Sequence, residues 1–264
     1  MGAVGQLDMG RKYLTERFEA EPGRMVGLRA RDAMDRSIPG NHDHWPGSWL
    51  GQVPQILGAP SARLRDTFRE TPWKQELLME LGGHPVRMVL VGINSDDEVW
   101  PWGPSRLFAR GRFQRQVEQA ARLFGLPHRD EVRVLLVHHT RHVDGFATSI
   151  CRRSRDALEQ LIAECDVATV LTGHLHEPRA STIGTCPEIC AGTTTQLDEP
   201  PSSWNISDAE MSRFRDNTLC VHQIAETADG GIEWHTAFER RRETGFVRVA
   251  LPAMPPFRVW PRAQ

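Results

Sequence analysis

A layered α/β domain is the fold class that the 264-residue sequence predicts. The stretch PVRMVLVGINS holds an almost unbroken apolar run at residues 86–93, which is typical of a strand buried on both faces. A helical pattern follows this run, and a second apolar run at residues 132–137 follows the helix. Strand patterns in series occupy the C-terminal part, which indicates antiparallel strands added to a parallel sheet.

Two amphipathic helices are predicted between the strands, because their apolar residues recur every three or four positions. The first ends at Gly125 and places on one face Phe113, Val117, Ala120, Ala121 and Phe124. The second begins near Ser154, a predicted N-cap, and places on one face Leu158, Leu161, Ile162 and Cys165. Further strands are predicted at residues 167–171 and in EICAGTTTQ, and a hairpin is predicted around Asp229-Gly230.

The two ends of the chain differ in composition from the α/β part. Residues 1–36 are rich in Arg, Gly and acidic residues and contain no apolar strand pattern, so we expect an atypical lead-in that is poorly ordered or misassigned. The main domain is expected to span residues 37–250. Residues 251–264 form a Pro-rich tail that we expect to be irregular.

Composition argues against several classes of protein. Lys and Arg number 32 and Asp and Glu number 34, so the formal net charge is −2 and no basic surplus indicates nucleic acid or a membrane as a partner. The first thirty residues hold no apolar signal core and the chain has no run of about 18 apolar residues, so we expect a cytoplasmic location. The five cysteines are an odd number in a long chain, which favours reduced thiols over a disulfide framework.

Three clusters of metal-capable side chains stand at comparable places in the sequence. One follows Pro39-Gly40, and the other two follow the predicted strands at 132–137 and 167–171. Their members are Asn41, His42, Asp43 and His44, then His138 and His139, then His174 and His176. Ligands bind outside the carboxyl ends of the strands in open α/β sheets, so the last two clusters should meet at one edge. Their donor groups suit divalent ions such as Mn, Fe, Zn or Ni.

Each cluster taken alone also has a structural explanation. The first can be turn polarity, the second a pair of histidines with satisfied hydrogen bonds, and the third the alternating end of a strand. The three explanations would have to hold together at three strand ends, and this coincidence favours a metal site.

The ordered set GNHD, the histidine pair and GHLH resembles the later motifs of the calcineurin-like metallophosphoesterase family, over roughly residues 37–244. The resemblance implies a four-layer α/β/β/α sandwich of two sheets flanked by helices, with a two-metal site at the edge of the sheets. It also implies hydrolysis of a small phosphoester or phosphodiester substrate by a hydroxide that two divalent ions activate.

Individual residues match the metal ligands of the family. Asn41, His138 and His174 match ligands of the second ion, and His176 matches a ligand of the first ion. His138 fits the ligand position better than its neighbour, because it is the first histidine of the pair.

Other residues match positions around the phosphate. His42 resembles the histidine that contacts the phosphate and protonates the leaving oxygen, and Asp43 would orient its ring. His139, His142 and Trp45 are candidates for lining the substrate pocket.

Two earlier motifs of the family have no clear match. The Asp-x-His motif completes the first metal site, but here Asp8 is followed by Met9-Gly10. The Gly-Asp-x-x-Asp motif supplies the bridging carboxylate; RDAMD at residues 31–35 has the spacing but lacks the glycine and a preceding apolar strand. We therefore expect a fold without its first strands and a site for two ions or only one. The alternative function is a catalytically impaired relative that serves as a scaffold or partner-binding module.

Overall fold

A short helical stretch at residues 11–15 and then a small antiparallel hairpin begin the described part of the computed structural model. The residues that the structure describes are 11–27, 29–30, 32–40, 68–81, 83–98, 110–141, 150–175, 178–192, 218–242, 245–249 and 255–260. The hairpin joins β1 (Phe18–Glu21) to β2 (Arg24–Val26) through a turn in which Gly23 has a φ of 79°. The hairpin lies within the lead-in expected at residues 1–36 and is not predicted above; the turn dipeptide Pro22-Gly23 is the signal that indicates it.

A six-stranded mixed sheet forms the centre of the described fold. Its strands in chain order are β3 (Trp73–Leu81), β4 (His84–Ile93), β5 (Glu131–Val137), β6 (Thr169–Thr172), β7 (Pro178–Ile183) and β8 (Cys186–Ala191). They pair in the order β3-β4-β5-β6-β8-β7, with β4, β5, β6 and β8 parallel and the two edge strands antiparallel. The predicted α/β class is confirmed, whereas β3 and β7 are not predicted by the sequence analysis.

Two helices cover one face of this sheet. Helix α1 (Gln114–Phe124) lies between β4 and β5 in the chain, and α2 (Arg152–Glu164) lies between β5 and β6. Connections between parallel strands are right-handed, so successive crossovers along one direction place both helices on the same side. The predicted helix faces pack there against strand residues that include Val91, Leu135 and Val137.

Ser154 is not the N-cap of α2, because the helix begins two residues earlier and Cys151 occupies the cap position. The Ser154 side chain is fully buried, and its Oγ accepts a hydrogen bond of 2.9 Å from the backbone N–H of Phe113, the residue before α1. The serine therefore links the N-terminal ends of the two helices, a role that a single-helix pattern cannot indicate.

A four-stranded antiparallel sheet packs against the other face of the central sheet. It contains β9 (Thr218–Glu226), β10 (Ile232–Arg242), β11 (Gly245–Val249) and β12 (Phe257–Trp260), and β10 pairs with all three others. The predicted hairpin is the β9–β10 pair. The core between the sheets includes Ile232, Trp234, Phe238 and Val259 from one side and Val86, Val132 and Ile189 from the other.

Strand β12 corrects the expectation of an irregular tail. Val259 is 1% exposed and lies in the core between the sheets, so the pairing of β12 with β10 covers apolar surface despite the prolines nearby. The described contacts thus define three layers, one of helices and two of sheet. They do not include the outer helical layer that the family resemblance implies.

The cysteines agree with the sequence expectation, since none of the five forms a disulfide. Burial raises the pKa of the Cys165 and Cys190 thiols, so both stay protonated at neutral pH. In the part of the chain that the structure describes, neither helix length nor hydropathy suffices for a membrane-spanning helix.

A buried arginine connects β5 to the C-terminal ends of both helices. The guanidinium of Arg133 donates hydrogen bonds to the carbonyl oxygens of Phe124, Gly125 and Leu126 at the end of α1, and to that of Cys165 at the end of α2. It also donates two hydrogen bonds to the carboxylate of Glu131, at 3.0 and 2.8 Å. These carbonyls lack partners within their helices, and the helix dipoles add negative potential that favours the cation.

We predict that Arg133→Lys lowers the free energy of unfolding by about 2–5 kcal/mol, because three ammonium donors cannot serve five acceptors and each buried carbonyl left without a donor costs about 1–3 kcal/mol. Urea denaturation measures the change. Arg152→Lys is the matched control, since its side chain is 85% exposed and pairs with Asp156 at the surface; it should change stability by less than about 0.5 kcal/mol. Equal effects of the two substitutions would contradict the role of Arg133.

A half-buried histidine in the second sheet makes stability depend on pH. His222 Nδ1 lies 3.2 Å from the indole N–H of Trp234, which can only donate, and 3.1 Å from Thr236 Oγ1. Burial lowers the pKa of His222 to about 4, because the charged ring would lose its hydration. Between about pH 4 and pH 6.5 the imidazole is therefore neutral in the folded state, whereas in the unfolded chain, where the histidine pKa is about 6.5, it binds a proton.

We predict that the stability contributed by neutral His222 is fully present above pH 6.5 and is lost as the pH falls from about 6.5 to about 4, by up to about 3 kcal/mol. His222→Gln retains a polar group but does not titrate, so its unfolding free energy should fall less over this range. His235→Gln, whose side chain is 39% exposed, should follow the wild-type curve. Parallel pH curves for wild type and His222→Gln would refute the assignment.

Candidate functional site

The carboxyl ends of three adjacent parallel strands carry the polar residues of the candidate site. Asn94, Ser95 and Asp96 follow β4, His138 and His139 follow β5, and His174 stands two residues after β6. The strands lie side by side in the order β4-β5-β6, so their ends meet at one edge of the sheet.

The three histidine rings lie in mutual contact at this edge. The ring centroids of His138 and His174 are 5.2 Å apart, those of His138 and His139 are 5.4 Å apart, and those of His139 and His174 are 4.3 Å apart. The prediction that the second and third sequence clusters share one edge is confirmed for these three residues.

Glycines allow the backbone to approach the His138 ring from two sides. A Cβ atom on Gly40 would lie 2.8 Å from Cε1 and 2.9 Å from Nδ1 of His138, and a Cβ atom on Gly173 would lie 3.3 Å from the same Nδ1. The contact of Gly40 shows that the stretch before Asn41 reaches the second cluster. The same stretch is anchored to the central sheet, because the indole N–H of Trp73 donates to the carbonyl of Ser37 at 3.2 Å.

His174 has a backbone φ of 72°, in the left-handed region that costs a residue with a side chain about 1–2 kcal/mol. The surrounding hydrogen bonds maintain this conformation: Gly173 N–H donates to the carbonyl of His138 at 3.0 Å, and the Cys190 thiol donates to the carbonyl of Gly173 at 3.0 Å. A strained residue held in this way at a strand end is a common property of functional sites.

His139 is fully buried and differs from His138, which is half-buried. Its Nδ1 lies 2.7 Å from the hydroxyl oxygen of Ser95, which is itself fully buried. A Cβ atom on Gly111 would lie 3.0 Å from Cγ of the His139 ring, so the backbone packs closely on that side.

The remaining site residues of the sequence analysis lie outside the described residues. They are Asn41, His42, Asp43, Trp45, His142 and His176. Their roles, and the metal-ligand roles of His138 and His174, stay predictions.

The residues present fit a divalent cation in donor type and in spacing. Two imidazoles on one tetrahedral ion, at a metal–nitrogen distance of about 2.1 Å, place their ring centroids roughly 5 Å apart, and His138 and His174 are 5.2 Å apart. Within the described stretches, no group of three or more His, Cys, Asp or Glu side chains could hold a metal ion by itself. A complete ligand set therefore needs residues such as Asn41 and His176 in addition.

The two carboxylates of the RDAMD stretch are exposed. Asp32 and Asp35 are both exposed at a short 3₁₀ turn, Met34–Arg36, and the Asp32 carboxylate lies 3.5 Å from the Arg36 guanidinium. Among the described residues neither carboxylate belongs to a potential ligand group. A role of RDAMD as the bridging motif therefore has no support among the described residues.

Sequence reasoning did not identify Ser95 and Gly111 as site residues. The polar stretch Asn94 to Asp97 directly after an apolar strand is a signal for the first, because such stretches mark the carboxyl end where ligands bind. No local pattern indicates Gly111, whose contact with His139 depends on a stretch that returns to the sheet edge.

Comparison with known proteins gives similar solved structures at low identity. No protein-family model matches the chain, and no curated protein matches it. GAP50, the anchor in the inner membrane complex of Plasmodium, is 12% identical with a TM-score of 0.46, over 90% of this chain and 65% of that one. A putative 5'-nucleotidase from Staphylococcus aureus is 13% identical with a TM-score of 0.37, over 87% and 38% of the two chains.

A further similar structure is Vps29 from Entamoeba histolytica, solved with zinc, at 12% identity and a TM-score of 0.28 over 76% of this chain and 75% of that one. The chain thus spans less than two thirds of the length of the first two proteins. At these TM-scores the likeness does not assign the chain to a family.

We predict that Gly40→Ala lowers the affinity for a divalent ion by about 10- to 100-fold, because the new methyl group displaces the His138 ring from its position. Isothermal titration with zinc measures the affinity. Gly23→Ala, where an added Cβ meets no atom within 4 Å, should leave it unchanged. Wild-type affinity in a folded Gly40→Ala protein would show that the position of the His138 ring does not matter for metal binding.

Proposed function

We propose that the chain is a metal-dependent hydrolase of phosphoester bonds that acts on a small phosphodiester. The observation that carries the proposal is the convergence of His138 and His174, whose ring centroids are 5.2 Å apart, at the carboxyl ends of parallel strands. The GNHD and GHLH motifs support it, because their resemblance to the metallophosphoesterases implies two further metal ligands, Asn41 and His176.

Neutral imidazole nitrogens of His138 and His174 would hold a divalent ion together with Asn41 and His176. A bound ion of this kind polarises a phosphoryl oxygen and lowers the pKa of a water molecule. His42 would contact the phosphate and donate a proton to the leaving oxygen, and Asp43 would accept a hydrogen bond from the other ring nitrogen of His42 and so fix its orientation.

A small phosphodiester is the substrate class that we assign to these donors. A phosphodiester carries one negative charge and offers anionic oxygens, which suit a cation and a histidine N–H. The leaving oxygen of an alkyl ester is a poor leaving group, so a proton donor such as His42 contributes about 100- to 10,000-fold to the rate.

We predict that the purified chain binds zinc or manganese and hydrolyses bis(p-nitrophenyl) phosphate, and that a chelator abolishes the hydrolysis. His138→Ala and His174→Ala should each lose metal affinity and turnover together, because each removes a ligand. His128→Ala is the matched control, since this side chain is 55% exposed in the loop after α1, and it should retain both properties.

Two outcomes would contradict the proposal. Hydrolysis that persists in His138→Ala and His174→Ala would separate the activity from this site. Metal uptake without hydrolysis of any tested phosphoester would favour a catalytically impaired scaffold over an enzyme.

A further inference from the structure

The hydroxyl group of Ser95 has an unusually restricted environment. The side chain is fully buried, and its Oγ lies 2.7 Å from His139 Nδ1 and 3.3 Å from the backbone nitrogen of His139. Within the described residues these are the hydrogen-bonding contacts of this oxygen. Both contacts go to a single residue on the neighbouring strand end.

Counting protons assigns a direction to each contact. The backbone N–H of His139 can only donate, so Ser95 Oγ accepts there. The hydroxyl proton of Ser95 must then go to His139 Nδ1, which acts as the acceptor at 2.7 Å. The opposite arrangement would leave a buried hydroxyl proton without a partner, which disfavours it by about 5- to 150-fold.

A neutral imidazole that accepts at Nδ1 carries its proton on Nε2. Such a ring has no lone pair left for a cation, because one nitrogen is occupied by the Ser95 hydroxyl and the other is protonated. It can instead donate a hydrogen bond from Nε2. The two neighbouring histidines therefore have different chemical capabilities, and their ring planes are 88° apart.

We infer that Ser95 is a positioning residue that holds His139 as the Nε2–H tautomer, so that His139 is a hydrogen-bond donor to an anionic phosphoryl oxygen and not a metal ligand. The choice of a phosphoryl oxygen rests on the proposed function. The His139 ring lies 4.3 Å from the His174 ring, which places the donor beside the candidate metal ligands. The close packing of Gly111 on the Cγ and Nδ1 side keeps the ring from rotating.

The tautomer can be measured without metal or substrate. In metal-free protein with ¹⁵N-labelled histidine, two-bond nitrogen–proton correlations distinguish the tautomers, and His139→Gln assigns the signals. We expect the Nε2–H form in the wild type and a mixture of both forms in Ser95→Ala. Ser154→Ala is the matched control, because it removes an equally buried hydroxyl that bonds to a backbone N–H; it should leave the His139 tautomer unchanged.

A second measurement tests the role of His139 as a donor. With zinc-loaded protein, His139→Gln and Ser95→Ala should retain the metal stoichiometry of the wild type. His139→Gln should bind inorganic phosphate about 10- to 100-fold more weakly, as expected for the loss of a hydrogen bond to a charged group. Ser95→Ala should bind it only about 2-fold more weakly, because about half of its molecules keep the Nε2–H form.

Three results would overturn the inference: an Nδ1–H form of His139 in the wild type, loss of zinc in His139→Gln, or wild-type phosphate affinity in His139→Gln. A wild-type chain that neither binds metal nor cleaves the diester contradicts the proposed function instead. The tautomer measurement decides the role of Ser95 in either case, since it uses metal-free protein.

Discussion

The rest of the described structure depends on the hydrogen bonds that the Arg133 guanidinium donates. Arg133 is the third residue of β5, and its guanidinium binds the C-terminal ends of α1 and α2. Both helices are thereby fixed relative to the strand whose other end carries His138 and His139. Because β5 lies between β4 and β6, the same contact sets the frame for Ser95 and His174 as well.

The central part of the fold could be predicted from the sequence because its patterns are local. Strands β4 and β5 are apolar runs, and the face of α1 repeats at helical spacing up to Gly125. The edge strands were missed for a physical reason: β3 is half-exposed, with Leu78 83% exposed, so its sequence lacks the apolar run of a buried strand.

The site was predictable only in part. The positions of His138 and His174 follow from their place after parallel strands, because topology alone brings strand ends together. The pairing of Ser95 with His139 and the contact of Gly40 with the His138 ring depend on side-chain directions and on loop paths. No spacing in the sequence contains that information, so the division of roles between the two histidines needed the structure.

The left-handed backbone at His174 has a consequence for how this position should vary over evolutionary time. Glycine adopts this conformation without steric cost, so the backbone geometry alone would favour glycine over histidine by about 1 kcal/mol. Apart from the contacts of its ring with His138 and His139, folding gives no reason to keep a histidine here, whereas selection for the site retains the imidazole. A lineage that had abandoned the site would be free to drift to glycine here, which makes position 174 a natural record of whether the site is still in use.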